Sequence, residues 1–123
     1  MQLKIPKNTK EVCWTKHSIF KMRYYALSVQ RILHVIKKPE RKEEGIVKNT
    51  VAVMQPVNPK IQSGKKIWKQ EIWVMYQTCK AGKHKTQSTN HKLKIISAWR
   101  YPGVSPKKDP IPSEILAEIG GII

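Results

Sequence analysis

The stretch Ile67-Trp68-Lys69-Gln70-Glu71-Ile72-Trp73-Val74-Met75-Tyr76-Gln77-Thr78 decides the fold class. It combines aromatic and β-branched residues, which suit a pleated and largely buried surface, and it predicts the strongest strand of the chain. Two further runs predict strands on either side of it: Thr50 to Gln55 (TVAVMQ) and Leu93 to Tyr101 (LKIISAWRY). The segments between them are polar. Pro56 to Lys66 holds two prolines and a glycine and predicts a loop. Lys80 to Lys92 (KAGKHKTQSTNHK) predicts a basic hairpin loop, and Pro102-Gly103 ends the third strand.

Upstream the periodicity is helical. Thr15 offers an N-cap for a helix over 16–26, with Ile19, Met22 and Ala26 on one face and His17, Lys21 and Tyr24 on another. Ser28 offers a second cap. Behind it Val29, Ile32, Leu33 and Ile36 recur at i, i+3, i+4 and i+7, an amphipathic stripe that Pro39 closes. The opposite face carries Gln30, Arg31, His34, Lys37 and Lys38. Residues 1–12 read as a strand-like lead-in, and Glu40 to Gly45 as a charged turn. After a proline-rich stretch, Ser113 is placed to cap a last short helix, Glu114 to Ile119, before Gly120-Gly121. The expectation is an α+β domain. Two N-terminal helices pack on an antiparallel sheet of three or more strands, with a short C-terminal helix. One domain spans residues 1–123, its core about 13–101 and its proline-rich tail 102–123.

Charge points to the partner. Lys and Arg number 24 against 8 Asp and Glu, a formal charge of +16 in 123 residues. Such an excess attracts polyanions, and a phosphate backbone gains further from counterion release. RNA is the first expectation and DNA the alternative. No apolar run reaches the length of a membrane span, and the N-terminus carries no secretory pattern. A cytoplasmic protein with no membrane partner is expected. The two cysteines, Cys13 and Cys79, supply no disulfide framework, and reduced thiols fit that compartment.

The run Thr15-Lys16-His17, Lys21-Met22-Arg23, Leu27-Ser28, Ile32, Ile36, Pro39 resembles the opening of a family of small bacterial and phage proteins of unknown function. In that family a T-x-H-A-x-x-R-M helix precedes an I/L-S-x-x-x-I/V helix ending near a proline. The runs IWVMY and KIISAWRY resemble its closing strands. The resemblance covers about residues 13–101, and it implies a fold similar to RelE/ParE-type toxins and to barnase-like and colicin-like ribonucleases. Two departures stand out. Ser18 replaces the family's alanine, and Lys21 replaces its arginine, which keeps the charge but loses the bidentate fork for phosphate.

What the resemblance implies is metal-independent RNA cleavage of toxin type, with an acidic antitoxin as a partner. The chemistry needs a base, an acid and cations around the phosphorane. His17, Lys21, Arg100 and Tyr101 are the candidate catalytic set, and Glu71 is the only acid in the three strands. Against this, His17 reads equally as a packing residue, Lys21 as a solvated helix residue, and Arg100 as an edge cation. Arg23, Arg31, His34, Lys38, Lys83 and Lys85 are the nucleic-acid-binding candidates, though a charged outer helix face is the commoner use of such residues. Trp68, Trp73, Trp99 and Tyr76 either stack on bases or fill the core. Cys13-x3-His17 and Cys79-x4-His84, with His91, lack the compact spacing of a zinc knuckle, so no metal and no cofactor is assigned. No phosphate-cradling glycine loop is present. The single aspartate, Asp109, lies in the tail, which leaves no Ser-His-Asp set. The leading expectation is an endoribonuclease. The alternative is a non-catalytic nucleic-acid-binding module of phage or mobile-element origin.

Overall fold

In the computed structural model, residues 6–78 and 93–120 are described. The chain runs β1 (Val12–Trp14), α1 (Lys16–Tyr24), α2 (Val29–Lys37), β2 (Arg41–Glu44), β3 (Val51–Pro56), β4 (Lys60–Gln62), β5 (Lys65–Ile67), β6 (Gln70–Thr78), β7 (Leu93–Pro102) and α3 (Ser113–Ile119). Of the three predicted N-caps, those of Thr15 and Ser28 form, whereas Ser113 is the first residue of α3, behind Pro112, and makes no side-chain cap. The Thr15 side chain accepts from Ser18 N at 3.1 Å, and Ser28 accepts from Arg31 N at 3.1 Å. Each satisfies an otherwise orphaned donor of the first turn. Thr15 also donates to Ile95 O at 2.8 Å, which ties the start of α1 to β7.

The expected antiparallel sheet, and with it the RelE-like or barnase-like arrangement, is corrected. The main sheet is mixed and five-stranded, in the order β1-β7-β6-β3-β2, beside a separate two-stranded sheet of β4 and β5. β1 runs parallel to β7, pairing Val12, Cys13 and Trp14 with Leu93, Lys94 and Ile95. The other three pairings in the main sheet are antiparallel. Three residues are too few for alternation to announce a strand, so β1 read only as a lead-in. β2 (RKEE) has no apolar side chain and read as a turn, yet it is an edge strand on β3, and charged residues suit such an edge. The segment 56–66 is likewise no plain loop. Ser63 and Gly64, both at positive φ (51° and 76°), turn β4 into β5, the geometry that matches the twist of a two-residue hairpin. The predicted basic hairpin at 80–92 lies outside the described residues.

Helices cover both faces of the sheet rather than one. Ile32 and Val35 of α2 and Met22 of α1 pack with Val53, Ile72, Val74, Tyr76, Ile95 and Ala98. On the reverse face Ala52, Met54, Trp73, Met75, Ile96 and Trp99 meet Ile111, Ile115 and Ile119, so the C-terminal segment helps build a second core. In β7 one extra residue interrupts the register. Met75 pairs with Ser97 and Tyr76 with Ile95, leaving Ile96 unmatched. This bulge shifts the alternation by one. Beyond it Arg100, opposite Ile72, lies on the α1/α2 face, and Tyr101, opposite Glu71, lies on the reverse face. Among the described residues no helix is long and apolar enough to cross a membrane.

Candidate nucleic-acid interface

The polar face of α2 is where the predicted binding residues gather. Arg31, His34 and Lys38 line a groove of about 350 Å³, closed on its other sides by Glu40, Gln55, Pro56, Asn58, Pro59 and Lys66. α2 and its C-cap supply Arg31, His34 and Lys38 because the apolar stripe of the helix is committed to the sheet, which turns these positions outward. The β4–β5 hairpin brings Lys66 to the same groove. The groove's one carboxylate, Glu40, is already paired with Lys66. Arg31 Nε is buried and has no hydrogen-bond partner among the described residues. Gln55, buried on β3, organises the floor. Its Nε2 donates to Lys38 O at 2.8 Å and to His34 O at 3.2 Å, and stands 3.0 Å from His34 Nδ1. It therefore satisfies Lys38 O, just past the end of α2, and adds a second donor to His34 O, which already accepts from Lys38 N at 2.9 Å. Lys83 and Lys85 lie outside the described residues.

The four predicted catalytic residues do not form one constellation. His17 and Lys21 come together, one helical turn apart on α1, but around a residue from α3. Lys21 Nζ is 3.0 Å from Glu118 Oε1 and the lysine is only 5 % exposed. His17 Nε2 is 3.5 Å from the same oxygen and makes no hydrogen bond among the described residues. Burial pushes the His17 pKa below its ordinary value of 6.5; Glu118 pulls it up, and Lys21 adds to the lowering. Lys21 also stands 5.6 Å from the centre of the Tyr24 ring and 5.1 Å from that of Tyr25. Arg100 is engaged elsewhere. It donates from Nε to Tyr25 O at 2.7 Å, from Nη1 to Gln70 Oε1 at 3.1 Å and from Nη2 to Ala26 O at 3.4 Å. Tyr101 packs on the second core, on the other side of the sheet. Arg23 is exposed on α1.

The strand aromatics fill the core. Trp73 and Trp99 are at most 1 % exposed and stack on each other with centroids 5.9 Å apart, and Tyr76 is buried. Glu71 is fully buried and accepts from the indoles of Trp68 (2.8 Å) and Trp73 (2.9 Å) and from Ser105 N (3.1 Å). Arg41, unnoticed in the sequence, holds the C-terminal segment in place. It reaches Ser105 Oγ (3.1 Å), Pro106 O (2.8 Å) and Lys107 O (2.7 Å), with its guanidinium 5.7 Å from the Trp73 ring centre.

The His17 environment carries a pH signature. Its folded-state pKa lies below its unfolded value, so between the two the unfolded chain binds the extra proton. Stability is therefore full above pH ~6.5 and declines as the pH falls towards the folded pKa. Melting curves recorded from pH 7.5 down to pH 5 are expected to fall more steeply for the wild type than for His17→Gln. Parallel curves would show that burial of this imidazole contributes nothing to the acid sensitivity.

Gln55, Lys66 and Glu118 are the site residues that the sequence did not single out. Each reaches its place through tertiary packing alone. Cys13 is a free, half-buried thiol. The other members of the zinc arrangement set aside above, at 79, 84 and 91, lie outside the described residues, and among the described ones no three metal-binding side chains meet. Comparison with protein-family models, with curated proteins and with solved structures finds no match to this chain.

Proposed function

We propose that this protein is a nucleic-acid-binding module whose groove between α2 and the β4–β5 hairpin takes the phosphate backbone. One observation carries the reading: Arg31 and His34 of α2 and Lys38 at its C-cap share a groove in which the one carboxylate among the described lining residues, Glu40, is matched by Lys66. The Arg31 guanidinium and the exposed Lys38 ammonium line the groove as the donors that an incoming phosphate would meet. The +16 charge supplies the long-range attraction.

The test is salt-dependent binding of a fluorescein-labelled oligonucleotide, followed by anisotropy. The wild type is expected to bind, with affinity falling steeply as salt rises. Arg31→Glu with Lys38→Glu is expected to weaken binding and to make the log–log salt slope shallower by about 1 for each residue. Unchanged affinity and slope would remove the groove from the interface.

A second reading, the metal-independent endoribonuclease, is favoured by the meeting of His17 and Lys21 at Glu118. An imidazole whose pKa is pushed below 6.5 is neutral at pH 7, as a general base must be. The binding reading expects RNA incubated with the protein in chelator to stay intact. Cleavage that His17→Ala abolishes would shift the assignment to the enzyme.

A further inference from the structure

The outer face of α1 is used by nothing described so far. Lys16, Phe20, Arg23 and Tyr24 stand at i, i+4, i+7 and i+8, which places them in one stripe, and all four are exposed. Phe20 is 63 % exposed and Tyr24 71 %. Their ring centroids are 6.5 Å apart and their planes differ by 22°, so they offer nearly parallel faces. Nor is Tyr24 loosely held. Tyr25 meets it edge-on at 4.8 Å, and the buried Lys21 ammonium, fixed by Glu118, stands 5.6 Å from its ring centre. Ordering this ring beforehand lowers the entropy lost when something binds to it.

Charge selects the occupant. α1 (KHSIFKMRY) contains no acid, and Lys16 and Arg23 flank the rings. A second copy of this chain would bring another +16 against the first. A nucleic acid brings phosphates for the cations and flat rings for the aromatics. In a duplex the base faces are covered by neighbouring pairs, whereas unpaired bases leave them open to aromatic side chains.

We propose that Phe20 and Tyr24 form a stacking platform for the unpaired bases of a single-stranded nucleic acid, with Lys16 and Arg23 on its backbone. The proposal rests on the nucleic-acid reading above and adds the kind of strand and a second contact surface.

The experiment compares a single-stranded oligonucleotide with a duplex of the same length, using the wild type, Phe20→Ala/Tyr24→Ala, Tyr24→Phe and Arg31→Glu/Lys38→Glu. Melting curves confirm that each variant is folded, and sedimentation reports its oligomeric state. Removing both rings is expected to weaken single-strand binding about tenfold or more, with duplex affinity and salt slope unchanged. Tyr24→Phe keeps the ring face and is expected to bind as the wild type does. Equal single-strand affinity for the wild type and the double alanine variant would overturn the platform, and so would an equal loss on duplex. A wild-type dimer that the double alanine variant converts to a monomer, with binding intact, would assign the stripe to a second copy instead. If Arg31→Glu/Lys38→Glu loses binding and the alanine variant does not, the groove stands and only the platform falls. If the wild type binds neither oligonucleotide, both readings fall.

Discussion

Glu71→Leu is expected to remove most of the protein's folding stability. The Glu71 carboxylate is fully buried. Its Oε1 accepts from Trp73 Nε1, and its Oε2 accepts from Trp68 Nε1 and Ser105 N. Leucine leaves all three N–H groups without this acceptor, and those of Trp73 and Ser105 are buried away from water. Hydrogen bonds to a charged group contribute about 1.5–3 kcal/mol each, so a loss of about 4 kcal/mol or more is expected. Domains of this size hold only about 5–15 kcal/mol in total. Glu71→Gln should fall between the two, because one oxygen can still accept while the amide NH₂ confronts a donor. Urea unfolding followed by tryptophan fluorescence measures both. A Glu71→Leu protein within about 1 kcal/mol of wild type would show that the indoles find other partners.

Arg100→Leu is the second large effect, and it separates two roles for this residue. Three donors of its side chain engage Tyr25 O, Ala26 O and Gln70 Oε1, which fastens the α1–α2 turn to β7. The turn needs fastening: Ala26 sits at φ 55°, a conformation that a residue with a Cβ adopts at a cost. A loss of about 2–4 kcal/mol is expected, and Arg100→Lys should recover less than half of it, since an ammonium cannot reproduce the planar fork. Oligonucleotide affinity, measured well below the melting temperature, should be unchanged. A phosphate-binding arginine would behave in the opposite way, losing affinity while stability stayed the same.

These residues also show what could be read from the chain before folding. The Thr15 and Ser28 caps and the amphipathic stripe of α2 were legible because their signals are local: a hydroxyl before a helix, and apolar residues at 3.6-residue spacing. The three long strands were legible for the same reason. The parallel pairing of β1 was not, because three residues carry no period and their partner lies some 80 positions away. β2 was missed because an edge strand needs no apolar side chain. The cluster Arg31, His34 and Lys38 was visible as a helix face, but its completion by Lys66 and Gln55 depends on where β3 and the β4–β5 hairpin settle. Arg100 and Tyr101 looked like neighbours in one site. The bulge at Ile96 does not alter their alternation; it fixes which of them faces α1 and which faces the tryptophans.

Five-stranded as it is, the sheet can be finished only late in synthesis. β1 leaves the ribosome some 80 residues ahead of Leu93–Ile95, its strand partner among the described residues. Thr15, which starts α1, waits for Ile95 as well. Until those residues have emerged, Val12 and Trp14 have no sheet edge to cover, and α1 has no β7 to lie against. Non-local closure of this kind is slow compared with forming a hairpin. The β3–β6 pairing can form earlier from residues 51–76, so β1 and α1 are secured only by a strand made after the centre of the sheet.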